Sequence, residues 1–276
     1  MVLTLIEYHN LIAYFLAFVI GLIMGIMGAG GGIMAVPILV YLLDIEPILA
    51  TTNSLFIVGI TSLVGSANYM RWQLVNYKTA ILFALHSFLA VFLTRNFLLP
   101  AIPLTIFEWH QWKLTKEVLI LGLFALIMIF SAYNMIKSNK HIGAPIGKPV
   151  SIRKNYPAFL LKTSIVGVVT GLVGAGGGFL IVPALVLLMR LPMKNAIGTS
   201  LFIISLNSIM GFFSSLGHQN IHWSFLIPFS AVAVVGVLMG SHFSKYLPAN
   251  HLKTAFGWFV LLMGVAIFIK ELFFDL

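Results

Sequence analysis

Cysteine is absent from this 276-residue sequence. That excludes disulfides, thiolate metal sites and thiol chemistry. Charge is nearly as scarce: Asp, Glu, Lys and Arg together make 8% of the residues, against about 25% in a soluble domain. The seven acids (Glu7, Asp44, Glu46, Glu108, Glu117, Glu271 and Asp275) all fall in loops or at the ends of apolar runs. A mid-membrane carboxylate relay or sodium cage has no residues from which to be built. His218 and His222 are four apart across a short loop, with no third ligand in view, so neither a metal nor a cofactor is expected and an enzyme is disfavoured. The 16 Lys and Arg residues lie in short loops and form no long patch, which argues against a nucleic-acid partner.

What the sequence has in excess is apolar length. Hydrophobic residues make up 60% of the chain, in runs at approximately 11–43, 51–70, 79–99, 117–136, 158–190, 196–216, 224–246 and 254–273. A bilayer crossing needs about 20 such residues, so the chain reads as an integral helical membrane protein. The first run belongs to the repeat described next and is read as a span, not as a removable leader.

The motif Gly28-Ala29-Gly30-Gly31-Gly32 returns as Gly174-Ala175-Gly176-Gly177-Gly178, 146 residues later, each copy followed by a proline, Pro37 and Pro183. Ser54 and Ser200, Ser62 and Ser208, and Gln73 and Gln219 keep the same spacing. The chain is thus a duplication: repeat one over 1–136, a cytoplasmic linker over 137–157 and repeat two over 158–276. The two runs with the glycine motif are about 33 residues long, too long for one crossing and too short for two. The expected fold is an all-α polytopic membrane protein of two inverted repeats. Each is a glycine-broken helical hairpin or discontinuous helix followed by three transmembrane helices. If both long runs are hairpins that return to their starting side, only Arg95, Lys113, Lys116 and Lys270 face outside and the other 12 basic residues face the cytoplasm. If both cross once, the split is 9 against 7. The positive-inside rule prefers the inverted arrangement. The 100–116 loop, with Trp109 and Trp112, has no counterpart of similar length; its tryptophans suit interfacial anchors.

Three consecutive glycines cost a helix roughly 1 kcal/mol each relative to Ala. They are useful where the backbone turns sharply or is closely approached. The first N–H groups of a half-helix lack intrahelical partners and carry the positive end of its dipole, so paired breaks can hold an anion near the midplane. Candidate substrate-binding residues are Gly28, Gly30, Gly31, Gly32, Asn53 and Ser54 in repeat one, with Gly174, Gly176, Gly177, Gly178, Thr199 and Ser200 in repeat two. The competing roles are tight helix packing for the glycines, favoured for Gly21 and Gly25, and N-capping for Thr51, Asn53 and Thr199, favoured for Thr51. His86 is the deepest ionisable group, read first as a hydrogen-bonded structural histidine and second as part of a proton or anion pathway. Arg71 is read as a cytoplasmic anchor, with attraction of the anion as the alternative.

The paired Gly-x-Gly-Gly-Gly…Pro elements, Thr199-Ser200-Leu201-Phe202 and the segment from Thr94 to Pro103 resemble the sulfite exporter TauE/SafE family, also called the toluene sulfonate uptake permeases. The resemblance covers essentially the whole chain. It implies an inner-membrane, multi-pass permease for sulfur-containing anions such as sulfite, organosulfonates or sulfoacetate. An anion channel for another oxyanion or a carboxylate is the alternative, and a non-transporting scaffold is a more distant one. Repeat one departs by carrying Thr52-Asn53-Ser54 where repeat two has Gly198-Thr199-Ser200, which makes the two halves of the site unequal. The partners expected are the small anion and membrane lipid, with a second copy of the chain left open.

Overall fold

A computed structural model describes residues 2–28, 30–98, 101–103, 105–109, 112–137, 156–173, 180–215 and 221–273. Apolar sequence folds into helix throughout, because lipid leaves backbone N–H and C=O groups no partner but each other. The elements are α1 (Val2–Met27), α2 (Gly30–Pro37) running into a π-helical turn Ile38–Leu42, α3 (Pro47–Arg71), and α4 (Tyr77–Leu93) with a π-helical turn Thr94–Leu98. Then come β1 (Thr105–Trp109), β2 (Trp112–Thr115), α5 (Lys116–Lys137) and α6 (Tyr156–Val173). The one-turn α7 (Ile181–Pro183) leads into a π-helical turn Ala184–Leu188, followed by α8 (Met193–Ser215), α9 (Trp223–Tyr246) and α10 (Ala249–Phe273). Six of these helices are long and apolar enough to cross a membrane: α3, α4, α5, α8, α9 and α10. They are the three spans expected in each half, and the protein is an all-α multi-pass membrane protein. The one addition is in the 100–116 loop, where β1 and β2 pair antiparallel, Glu108 opposite Lys113 and Trp109 opposite Trp112.

The 146-residue register seen in the sequence recurs in local structure. The π-turns Ile38–Leu42 and Ala184–Leu188 occupy equivalent positions after Pro37 and Pro183. Each is closed by an equivalent bond, Ile45 N–H to Leu39 O at 3.1 Å and Leu191 N–H to Leu185 O at 3.0 Å. The corner residues Asp44 and Arg190 both take positive φ, 49° and 57°.

The chain forms two compact units, residues 1–84 with 192–248, and 85–191 with 249–276, so each draws on both halves of the sequence. In the first unit α1 lies on α9. Cβ atoms at Gly21 or Gly25 would collide with the backbone of Ala233, Val237, Gly240 and Ser241, and one at Gly236 would meet that of Phe18 and Leu22. Small residues let the two helix backbones touch, and close packing is what holds membrane helices together. α3 crosses α8 antiparallel: Leu55 meets Gly211 and Leu201 meets Gly65, each at 3.4 Å from the glycine's Cβ position. These two contacts are the same contact exchanged between the halves, since Leu201 and Gly211 stand 146 residues after Leu55 and Gly65.

In the second unit α6 repeats the role of α1. Gly167 packs against Ser87 and Ala90, and Gly171 against Val91 and Thr94 of α4 and its π-turn. Gly257 and Gly264 of α10 seat Ile136 and Met128 of α5. Ile81, Leu85, Leu89 and Phe92 of α4, Leu126 and Phe130 of α5, and Leu262 of α10 remain exposed, which in this class of protein is surface for lipid.

The glycine contacts generate a test. Gly25→Val and Gly171→Val should each lower the thermal stability of the detergent-purified protein, because overpacking costs about 1–3 kcal/mol or more when the obstacle is backbone. Gly122→Ala, where nothing lies within 4 Å of the added carbon, should leave the melting curve unchanged.

Candidate functional site

The first glycine motif makes a reversal. Gly28 has φ 86°, a conformation side chains disfavour, and its N–H closes α1 on Met24 O at 2.8 Å. Two residues later α2 begins and runs back along α1: a Cβ at Gly31 would strike the Ile20 carbonyl and the Met24 side chain. Gly32 faces the Val58 methyls at 3.7 and 3.8 Å. Val58 is the twelfth residue of the 25-residue α3. The N-terminus of α2 therefore opens beside the middle of a spanning helix, where its first N–H groups have no intrahelical acceptor.

Two side chains of α3 belong to this tip. Thr61 is buried and donates to Ile57 O at 2.6 Å, with Met24 Sδ at 3.5 Å. Ser62 stands one helical turn beyond Val58 on the same stripe; it is wholly buried and its Oγ has no hydrogen-bond partner. Below the tip, the hydroxyl of Tyr69 lies 2.9 Å from the Gly25 carbonyl and 2.8 Å from Ser244 Oγ, tying α1, α3 and α9 together. Asn68 Nδ2 donates to Ser241 Oγ at 2.8 Å. Neither Thr61 nor Tyr69 carries a motif. Their signal in the sequence is only that a polar residue recurs on the stripe of α3 that must face α1.

Several expected site residues lie elsewhere. Ser54 and Ser200 donate to Thr51 O at 2.7 Å and Ile197 O at 2.8 Å, within their own helices. Their single hydroxyl protons are committed there, which removes them as donors to an anion in this conformation. Capping does not explain Thr51, Asn53 or Thr199, because α3 starts at Pro47 and α8 at Met193, more than a turn before the threonines. Thr199 Oγ1 instead accepts the N–H of Asn76 at 3.0 Å, and Asn76 Oδ1 caps α4 by accepting the Thr79 N–H at 3.1 Å. Asn53 is 1% exposed with an unpartnered Oδ1. It lines a cleft with Leu42 and Ile45, at the far end of the re-entrant arm from the glycines. Gly30 opens α2 as expected, whereas Gly174, Gly176, Gly177 and Gly178 fall outside the described residues.

His86 is half-buried, with Tyr156 Oη 3.3 Å from Nε2 and the Phe159 ring beside it. It lies at the edge of an apolar cavity of about 490 Å³ lined also by Leu89, Phe97 and Val168. Arg71 is exposed in the last turn of α3, where an anchor would be.

The geometry separates the two glycines that sequence alone treats alike. Gly31→Ala should lower thermal stability through its backbone clash, whereas Gly32→Ala meets only ordinary contacts and should purify normally. Tyr69→Phe should destabilise by about 1 kcal/mol, the usual worth of a buried hydrogen bond, read as a lower melting temperature in detergent.

Comparison with known proteins agrees with a transporter. The family model "Sulfite exporter TauE/SafE" matches residues 13–267. "Probable membrane transporter protein YunE" of Bacillus subtilis is 26% identical over 271 residues, covering 92% of this chain and 97% of its own. A "Probable membrane transporter protein" of Xylella fastidiosa is 26% identical over 257 residues, covering 91% and 90%. One from Methanocaldococcus jannaschii is 35% identical over 104 residues, 36% of this chain and 38% of its own. No solved structure matches significantly. Six apolar spans, a glycine-broken re-entrant arm and a family match over nearly the whole length lead to one conclusion: this chain is a membrane transporter belonging to the sulfite exporter TauE/SafE family.

Proposed function

We propose that the protein is a permease for small sulfur-containing anions, held at the tip of the re-entrant arm by the N–H groups of Gly30–Gly32 and the hydroxyl of Ser62. The observation that carries this reading is the buried, unpartnered Ser62 Oγ one turn along α3 from the residue that faces Gly32. A buried hydroxyl without a partner is costly, and a ligand at the tip would supply one. Neutral donors suit an anion that must also leave, because a backbone nest and a hydroxyl stabilise charge without a fixed counter-ion. The family's name supports sulfite and its organic relatives as the substrate class.

In this reading the two halves, 1–136 and 158–276 with the 137–157 linker between them, are inverted in the membrane. The antiparallel crossing of the equivalent helices α3 and α8, with Leu55 on Gly211 and Leu201 on Gly65, supports inversion, as does the charge bias. Transport involves no covalent step, and lipid covers the exposed apolar faces.

The test is anion uptake into proteoliposomes, comparing sulfite, methanesulfonate, sulfoacetate and simple carboxylates. Ser62→Ala should reduce uptake of sulfur anions by about tenfold or more, since a hydrogen bond to a charged group is worth about 1.5–3 kcal/mol. Gly122→Ala should transport normally. Full uptake by a folded Ser62→Ala protein would remove the tip from the pathway. Uptake of carboxylates alone would change the substrate class.

A further inference from the structure

The far end of the same re-entrant arm carries a second polar feature. A cleft of about 360 Å³ lies between the π-turn corner, Leu42 to Ile45, the start of α3 and the residues that lead into α9. Asn53 lines it from α3, Asp44 from the corner, and His222 from just before α9. The remaining lining residues, Leu42, Leu43, Ile45, Leu49 and Phe225, are apolar. Asp44 and His222 are the titratable groups that line the cleft with Asn53 among the described residues. Asn53 is 1% exposed and its Oδ1 has no partner.

The other half of the chain shows what this position is like when it is filled. Thr199 stands 146 residues after Asn53, and Asn76 stands 146 residues before His222. There the side-chain oxygen of Thr199 accepts the N–H of Asn76 at 3.0 Å. At the equivalent position Asn53 lines the cleft, and its side-chain oxygen is left without a donor. Both junctions lie in the first compact unit. A buried acceptor kept unpaired in a polar-edged cleft is a ligand feature, because a purely structural position would gain by becoming apolar.

We propose that this cleft is a binding site for a small oxyanion that still carries an acidic proton, such as the singly protonated form of a dibasic acid. The chemistry follows from the three polar groups. Asn53 Oδ1 and the Asp44 carboxylate are acceptors and recognise a ligand O–H. The imidazole of His222 and the Asn53 amide nitrogen are donors and take the charged oxygens. A fully deprotonated dianion meets the Asp44 charge and leaves Asn53 Oδ1 unpaired. An anion of single charge without a proton also leaves it unpaired, and a site built around buried hydrogen-bonding groups rejects ligands that lack the matching group. The inference rests on the anion-permease reading. It adds to that reading a selection for protonation state at the mouth of the arm, with the substrate itself bringing the proton.

The experiment uses the purified full-length chain, with binding measured by calorimetry and uptake by proteoliposome assay at pH 6 and pH 8. The probes are sulfite, which gains and loses a proton near neutrality, and methanesulfonate, which has none to give. In the wild type, sulfite should bind more tightly at pH 6 than at pH 8 and more tightly than methanesulfonate at either pH. Asn53→Leu matches the buried volume, and its melting temperature should be equal or higher. It should weaken sulfite binding at pH 6 by about tenfold or more, since the O–H acceptor is lost with the amide donor, and weaken methanesulfonate by less, since that anion loses only the amide donor. Asp44→Asn should narrow the preference for sulfite over methanesulfonate. A folded Asn53→Leu protein with the wild-type ratio of the two anions would overturn the cleft proposal. If Ser62→Ala still abolished uptake in that case, the permease reading would stand without it. A wild type that binds and carries neither anion would overturn both.

Discussion

An unpaired peptide group in hydrocarbon costs several kcal/mol, and the rest of this structure follows from that constraint. The chain breaks its helix at Gly28, inside the span region, and begins another at Gly30. The exposed backbone must be covered by protein on every side. α1 can cover it only by lying against α9 with backbones touching, which is why Gly21, Gly25, Gly236 and Gly240 have no room for a side chain. The Gly25 carbonyl, near the frayed end of α1, is met by the hydroxyl of Tyr69. The same residue closes against Gly198, where an added Cβ would come within 2.7 Å of the Tyr69 Cβ and 3.1 Å of its ring. Packing here makes a break in the membrane tolerable.

The duplication carries this solution twice. α1 of the first half packs on α9 of the second, and α6 of the second half packs on α4 of the first, through glycines at the same register. Each half therefore supplies a helix that packs on one from the other half. That explains why the compact units cut across the sequence repeats, and why the 146-residue spacing is kept by packing glycines as strictly as by the motif itself.

Much of this was legible in the sequence. Spans follow from apolar length, the reversal from consecutive glycines, and the repeat from paired motifs. The apolar runs begin at 51 and 196, but the helices start earlier, at Pro47 and Met193, so the hydroxyl-rich segments lie inside them and do not cap them. The site was legible only in part. Ser54 was marked for its spacing, but a serine in an apolar helix satisfies itself on the carbonyl three residues back, and nothing in the sequence distinguishes that from a serine facing a ligand. Ser62 stood out only by its repeat spacing and His222 only by its distance from His218, since their place beside the arm depends on tertiary packing. Asn53 lies at the opposite end of the arm from the glycines with which the sequence groups it, because an antiparallel segment separates residues that a linear reading places together.

The π-helical turns after Pro37 and Pro183 have a mechanical meaning. A π-turn holds one residue more than the α-turn it interrupts. Drawing that residue into regular helix would extend the helix by about 1.5 Å and swing the residues beyond it by about a quarter turn, leaving the reversal at Gly28 of the first arm untouched. The corner at Asp44 would travel and the tip at Gly28 would not. The first arm thus has its fixed point at Gly28 and its slack stored at the opposite end.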